Sequence, residues 1–290
     1  MSPDRDRTAD GSGATRIEAD LSINRGEMNP MRRASCCLAV LGLAVLALAL
    51  PGAASAVPTV QFKAKAVPIP GFPHTGNIFG AGAAVEAEYK ISGTEYGGFP
   101  PPLTHVNFYL PAGVKLHPSG FPTCPTSTLE PSGKGPSGCP KGSSAGPVGT
   151  GEGFVAFGKE VVPEKVTIQG FYAPGGGLTF FTFGHEPVLL EILSKAHYVN
   201  SSGLYSKKLE AEVPLVETVP GAQDASVKFI KVKAGSAMKK HGKVQYYGTM
   251  PTKCPKKYLP VKTELTFAGL GGLSQQTVTA EYKAPCPRKR

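Results

Sequence analysis

The chain has 290 residues, with 31 Lys and Arg against 21 Asp and Glu, giving a net charge of +10. Gly (36) and Pro (28) are abundant and Trp is absent, but 14 Phe and 10 Tyr, all after residue 56, exclude a wholly disordered chain. Charge of this sign speaks for solubility and for anionic partners, not for a fold.

Residues 1–30 are polar and charged, without a hydrophobic period. They are expected to be disordered, with translation expected to begin at Met28 or Met31. Met31-Arg32-Arg33 then precedes an apolar run from Cys36 to Leu50, closed by Pro51-Gly52 and followed by Ala54-Ser55-Ala56. Charged, apolar and small residues in this order form a secretory signal peptide over 31–56, cleaved after Ala56. The competing reading is an uncleaved anchor, but the run falls short of the about 20 residues a stable span needs. Basic and acidic residues balance before residue 57, so the mature region keeps the whole net charge. No LPxTG sorting signal and no second apolar span follows.

The mature region has room for one large β domain or two small ones. Within 57–118, Val85-Glu86-Ala87-Glu88-Tyr89-Lys90-Ile91 alternates apolar and charged residues, the pattern of a half-buried strand. Thr104 to Leu110 places Val106, Phe108 and Leu110 on one face. The stretch from 119 to 153 is dense in Pro, Gly, Ser and Thr, contains Cys124 and Cys139, and reads as a disulfide-clipped surface loop. After it, strands are expected at Gly153–Phe157, Val166–Phe171, Leu178–Phe183, Tyr205–Val213, Ser226–Val232, Lys243–Tyr247, Val261–Phe267 and Thr277–Lys283. Ala268 to Gly272 reads as a hairpin loop. Val188–His197 fits either a helix opened by Pro187 or a buried strand. Short strands between turn residues predict an all-β fold, an antiparallel β-sandwich or two, with 57–118 and 154–290 as first and second β regions.

Cys124, Cys139, Cys254 and Cys286 remain after cleavage, an even count that reads as disulfides in an exported chain. Three pairings are open. Cys124–Cys139 with Cys254–Cys286 is favoured because it closes the shortest loops. Zinc is disfavoured: there is no C-x₂-C, and Pro follows each of the four.

Leu110-Pro111-Ala112-Gly113-Val114, then Gly120-Phe121-Pro122-Thr123-Cys124, then Gly138-Cys139-Pro140-Lys141-Gly142-Ser143 stand in that order, followed by Cys254-Pro255 and Cys286. In this the chain resembles a group of secreted β-rich proteins of high-GC soil actinobacteria. The resemblance implies an exported β protein and carries no activity with it.

Gly142-Ser143-Ser144-Ala145-Gly146 matches the G-x-S-x-G nucleophile elbow, which presents a serine on a strand-to-helix turn. No helix follows here, and Asp224 is the single Asp of the mature region, so a loop is the expected reading. His185-Glu186 reads as a turn before it reads as a metal or general-base pair. Glu86 and Glu88, like Glu210 and Glu212, share a face and are expected to be solvated rather than to act on a glycan. Gly149-Thr150-Gly151-Glu152-Gly153 lacks the Lys-Ser/Thr of a phosphate loop. Asn200-Ser201-Ser202 is a chance-level glycosylation sequon.

From Ala225 to Thr263 there are ten lysines and no acid: Lys228, Lys231, Lys233, Lys239, Lys240, Lys243, Lys253, Lys256, Lys257 and Lys262. Lysine rather than arginine suits diffuse attraction. The expected function is an exported, non-catalytic protein that binds or scaffolds at an anionic extracellular or cell-envelope surface. Its expected partner is a wall polymer or membrane surface, with no specific nucleic acid, metal or cofactor. The alternative is an extracellular carbohydrate-active or ester-hydrolysing enzyme.

Overall fold

The computed structural model describes residues 57–72, 80–157, 160–254 and 257–286. The expected leader over 31–56, the polar segment before it, and Lys256 lie outside these residues. The strands are β1 (Thr59–Val67), β2 (Ala84–Ser92), β3 (Leu103–Pro111), β4 (Lys115–Leu116), β5 (Gly149–Phe157), β6 (Glu160–Tyr172), β7 (Leu178–Gly184) and β8 (Leu190–Asn200). They continue as β9 (Tyr205–Glu212), β10 (Ser226–Ala234), β11 (Ala237–Lys240), β12 (Lys243–Tyr246), β13 (Gly248–Thr249), β14 (Tyr258–Phe267) and β15 (Gln276–Pro285). Eleven of them form one antiparallel sheet in the order β1-β2-β10-β5-β6-β7-β8-β9-β3-β14-β15. Strands from before and after the 119–153 stretch are therefore neighbours in one sheet.

Period-two patterning dictates the wall. In β2, Ala87, Tyr89 and Ile91 point inward and are buried while Glu86, Glu88 and Lys90 face out. The same alternation runs through β1, where Phe62 and Ala64 are buried between exposed Gln61, Lys63 and Lys65. The edge strands β1 and β15 lie alongside each other, and the Phe62 and Tyr282 rings meet edge-on at 6.4 Å. No backbone ladder joins them. The expected sandwich is thus replaced by one sheet curled nearly shut into a barrel. Strand twist accumulates across eleven strands until the sheet's inner face meets itself, so no second sheet is needed to cover it. The outward positions of β1 and β2 are thus mostly charged or polar.

The largest cluster of buried side chains lies under β1, β2, β3, β14 and β15, where Leu265 and Phe267 are fully buried among Ile91, Leu103, Phe108 and Leu259. Val188–His197 resolves as a strand, β8. Leu190, Ser194 and Ala196 are its buried positions, and pairing with β7 and β9 on both sides outweighs any helical preference of so short a run.

Residues 119–148 carry short helical turns as well as the disulfide. Disulfide Cys124–Cys139 clips a segment holding the one-turn helix α1 (Thr126–Leu129) and a 3₁₀ turn at Gly135–Gly138. Cys124 and Leu129 are buried against Phe171 and Phe181, with Phe183 and Leu193 beside them, so the segment caps an apolar patch on the outside of β6–β8. The glycine run at its end is strand, not loop. A side chain at Gly153 would run into the Ser226 carbonyl of β10, so the absent side chain lets the two strands approach. The second disulfide, Cys254–Cys286, ties together the open ends of the β14–β15 hairpin.

Candidate ligand cavity

The barrel is not filled evenly. A cavity of about 230 Å³ runs inside it, walled by β2, β3 and β5–β10 and by residues 247–250. Its walls are apolar, with Tyr89, Phe108, Ile168, Phe180, Ile192 and Leu209 among them. Small inward residues, Ala87, Gly151 and Ala211, leave the space that larger side chains would close. An engineered apolar cavity of about 150 Å³ stays dry and binds benzene, so this one has room for roughly nine non-hydrogen atoms.

Aromatic rings crowd one end. Tyr172 and Tyr247 stack with centroids 4.0 Å apart, and Phe121 meets both edge-on at 5.4 and 5.3 Å. Their hydroxyls are used locally: Tyr247 donates to the Gly176 carbonyl at 3.0 Å, and Tyr172 shares a hydrogen with Ser236 at 2.8 Å. Burial pushes the Tyr247 phenol up to about 12 and raises the Tyr172 and Tyr198 phenols as well, so all three stay neutral.

Farther along β6 stands Glu164, 1 % exposed and part of the cavity wall. Its Oε2 accepts the Val188 N–H at 3.2 Å, while Oε1 has no hydrogen-bond partner. Eight residues separate Glu164 from Tyr172, roughly 26 Å at 3.3 Å per residue, so these two wall residues stand far apart along β6. The sequence carries a signal for Glu164: a carboxylate on the apolar parity of a strand, in register with Val166 and Ile168.

The nine described lysines do not gather in one patch. Lys231 and Lys233 stand on the outer wall opposite β2, within 3.6 Å of Glu88 and 3.4 Å of Glu86, while Lys65 reaches Glu86 at 2.9 Å. The Lys65 hydrogen bond, supported by Lys233, holds the Glu86 carboxyl below its ordinary value against the opposing effect of burial. Lys228 lies 6.0 Å from the centre of the Phe154 ring. Lys262, on β14, bridges Glu264 at 2.8 Å and sits 3.9 Å from the centre of the Tyr109 ring. Burial would raise Glu264, but Lys262, the Tyr109 hydroxyl and Asn107 outweigh it and the net direction is down. Lys253 and Lys257 are exposed on the loop before β14. Lys239, Lys240 and Lys243 are exposed on the β11–β12 hairpin and, among the described residues, meet no carboxylate at ion-pair distance.

The elbow motif is spent on local structure. Ser144 donates to the Gly146 carbonyl at 2.6 Å and accepts a long contact from Gln169, and no imidazole among the described residues bonds to it. His105 and His117 bond to Thr104 and Thr249, and His197 pairs with Glu210 at 2.9 Å. His185 and Glu186 form an exposed pair at 3.8 Å in the β7–β8 turn. Asp224 sits in a short bridge with Glu217, where burial first and then Glu217 raise its carboxyl. Among the described residues no group of three or more His, Cys, Asp or Glu is placed to hold a metal ion.

Scanned against protein-family models, curated proteins and solved structures, the chain matches none of them.

Proposed function

We propose that this is an exported, non-catalytic binding protein that holds a small apolar molecule inside its barrel. The observation that carries the reading is the apolar cavity inside the barrel. Burying an apolar ligand in such a space releases its surface from water, worth about 25 cal/mol per Å² before the costs of association. Export is supported by the leader-like order of residues 31–56 and by two disulfides, which persist in oxidising compartments.

The test uses 1-octanol, which matches the cavity in size, and the variant Thr182→Phe, which places a ring into the cavity from β7. Saturating 1-octanol should raise Tm by roughly 5–10 °C in the wild type, the size expected of a ligand at a hundredfold excess over Kd. Thr182→Phe should abolish that rise while remaining folded. An unchanged Tm in the wild type overturns the reading.

A second surface reading rests on the β11–β12 hairpin, whose Lys239, Lys240 and Lys243 are exposed and unpaired among the described residues. In this reading the hairpin docks against an anionic envelope polymer or membrane surface. Binding to isolated envelope fractions should weaken at least tenfold when the three lysines become glutamine, at about 1 kcal/mol each near an anionic surface, and should collapse with added salt. Binding that ignores both changes overturns it.

A further inference from the structure

Among the described residues Glu164 is the only charged side chain that is fully buried, and it stands in the wall of an apolar cavity. A carboxylate accepts hydrogen bonds and donates none. One of its oxygens is served by Val188 and the other is unserved, an arrangement that costs stability unless something supplies the missing donor. Room for the carboxyl comes from Gly184, where a Cβ would lie 2.5 Å from Glu164 Oε1. The terminal torsion of glutamate is soft, so either oxygen turns toward a group in the cavity at little cost.

Resting on the cavity reading above, we propose that the ligand is a linear aliphatic amine. Its ammonium head bonds to Glu164, and its chain runs along β6 toward the Tyr172–Tyr247 stack. The wide spacing of Glu164 and Tyr172 along one strand of the wall suits an extended chain better than a fused ring system. Head-group choice follows from charge: an ammonium supplies both a donor and the opposite charge, an alcohol supplies a donor alone, and a carboxylate ligand meets like charge.

The experiment is calorimetric titration of the disulfide-bonded full chain with octylamine, 1-octanol and octanoate. Octylamine should bind roughly tenfold to a hundredfold tighter than 1-octanol, with octanoate weakest. Glu164→Gln should erase the amine preference and leave 1-octanol affinity within a few-fold. Gly184→Ala, which displaces the carboxyl, should reduce the preference without removing a charge. Thr182→Phe should block all three probes. If 1-octanol binds and octylamine binds no tighter, the amine inference falls and the cavity reading stands. If no probe binds, both fall. Octylamine binding that survives Thr182→Phe places the amine outside the cavity and overturns the inference. Should Glu164→Gln fail to fold, the wild-type comparison and Gly184→Ala still decide.

Discussion

Phe267→Ala should destabilise the protein by about 3–5 kcal/mol, read as a lower urea midpoint with unchanged m. Phe267 is fully buried at the end of β14, with Leu265 two residues before it on the same face. Removing the ring loses its transfer free energy and leaves a void, and the size of the second loss depends on how far the walls can close. They are held apart. β14 is paired along its length to β15 and over Lys262–Phe267 to β3, so moving it inward would break ladders on both sides. In a chain of this size the loss corresponds to a drop in Tm of about 10 °C. A loss below about 1 kcal/mol would show that this side of the barrel relaxes freely and is not packed as described.

Replacing Cys124 and Cys139 together by alanine should lower stability by about 3 kcal/mol, the loop-entropy value for a closure of this length. The bond closes a loop with a sequence separation of 15. A second effect should accompany the first. The clipped segment covers Phe171, Phe181 and Phe183 on the outside of β6–β8, so its release exposes an apolar patch. Dye binding and concentration-dependent aggregation should rise, while 1-octanol binding persists because the segment lies outside the cavity wall. Loss of 1-octanol binding in the folded double variant would show that the segment shapes the cavity after all.

The strands were largely legible in the sequence because alternation is local. Residues 85–91 and 104–110 fall within β2 and β3, and the run from Tyr205 marks β9. What alternation cannot carry is the identity of the partner face. Val106, Phe108 and Leu110 would read identically whether covered by a second sheet or by the far side of their own, so the barrel was out of reach. Strand order was equally hidden, since β3 finds its neighbours more than ninety residues downstream in β9 and β14. The glycines at 149–153 read as loop because their reason for being in a strand, the close approach of β10, is tertiary. The cavity depends on summed volumes that no single residue displays. Glu164 was within reach: carrying the strand reading back from Val166 by two residues puts an acid on the inward parity. Counting one sign of charge along the chain also leaves out Glu86 and Glu88, which lie across the strand boundary from Lys231 and Lys233.

The order of strands in the sheet also sets a timetable. Three blocks are built from consecutive strands: β1 with β2, β5 through β9, and β14 with β15. Each can form from neighbouring chain as soon as it is made. β10 and β3 are the splices, β10 welding the first block to the second and β3 welding the second to the third. β3 is synthesised early, yet both of its partners come late, so its backbone groups and its inward Phe108 wait unpaired while most of the chain is completed. Long-range joins of this kind make folding slow, because the loop must be closed before any contact repays it. The barrel therefore cannot close until nearly the whole chain is present, and until then β3 is the strand most in need of protection.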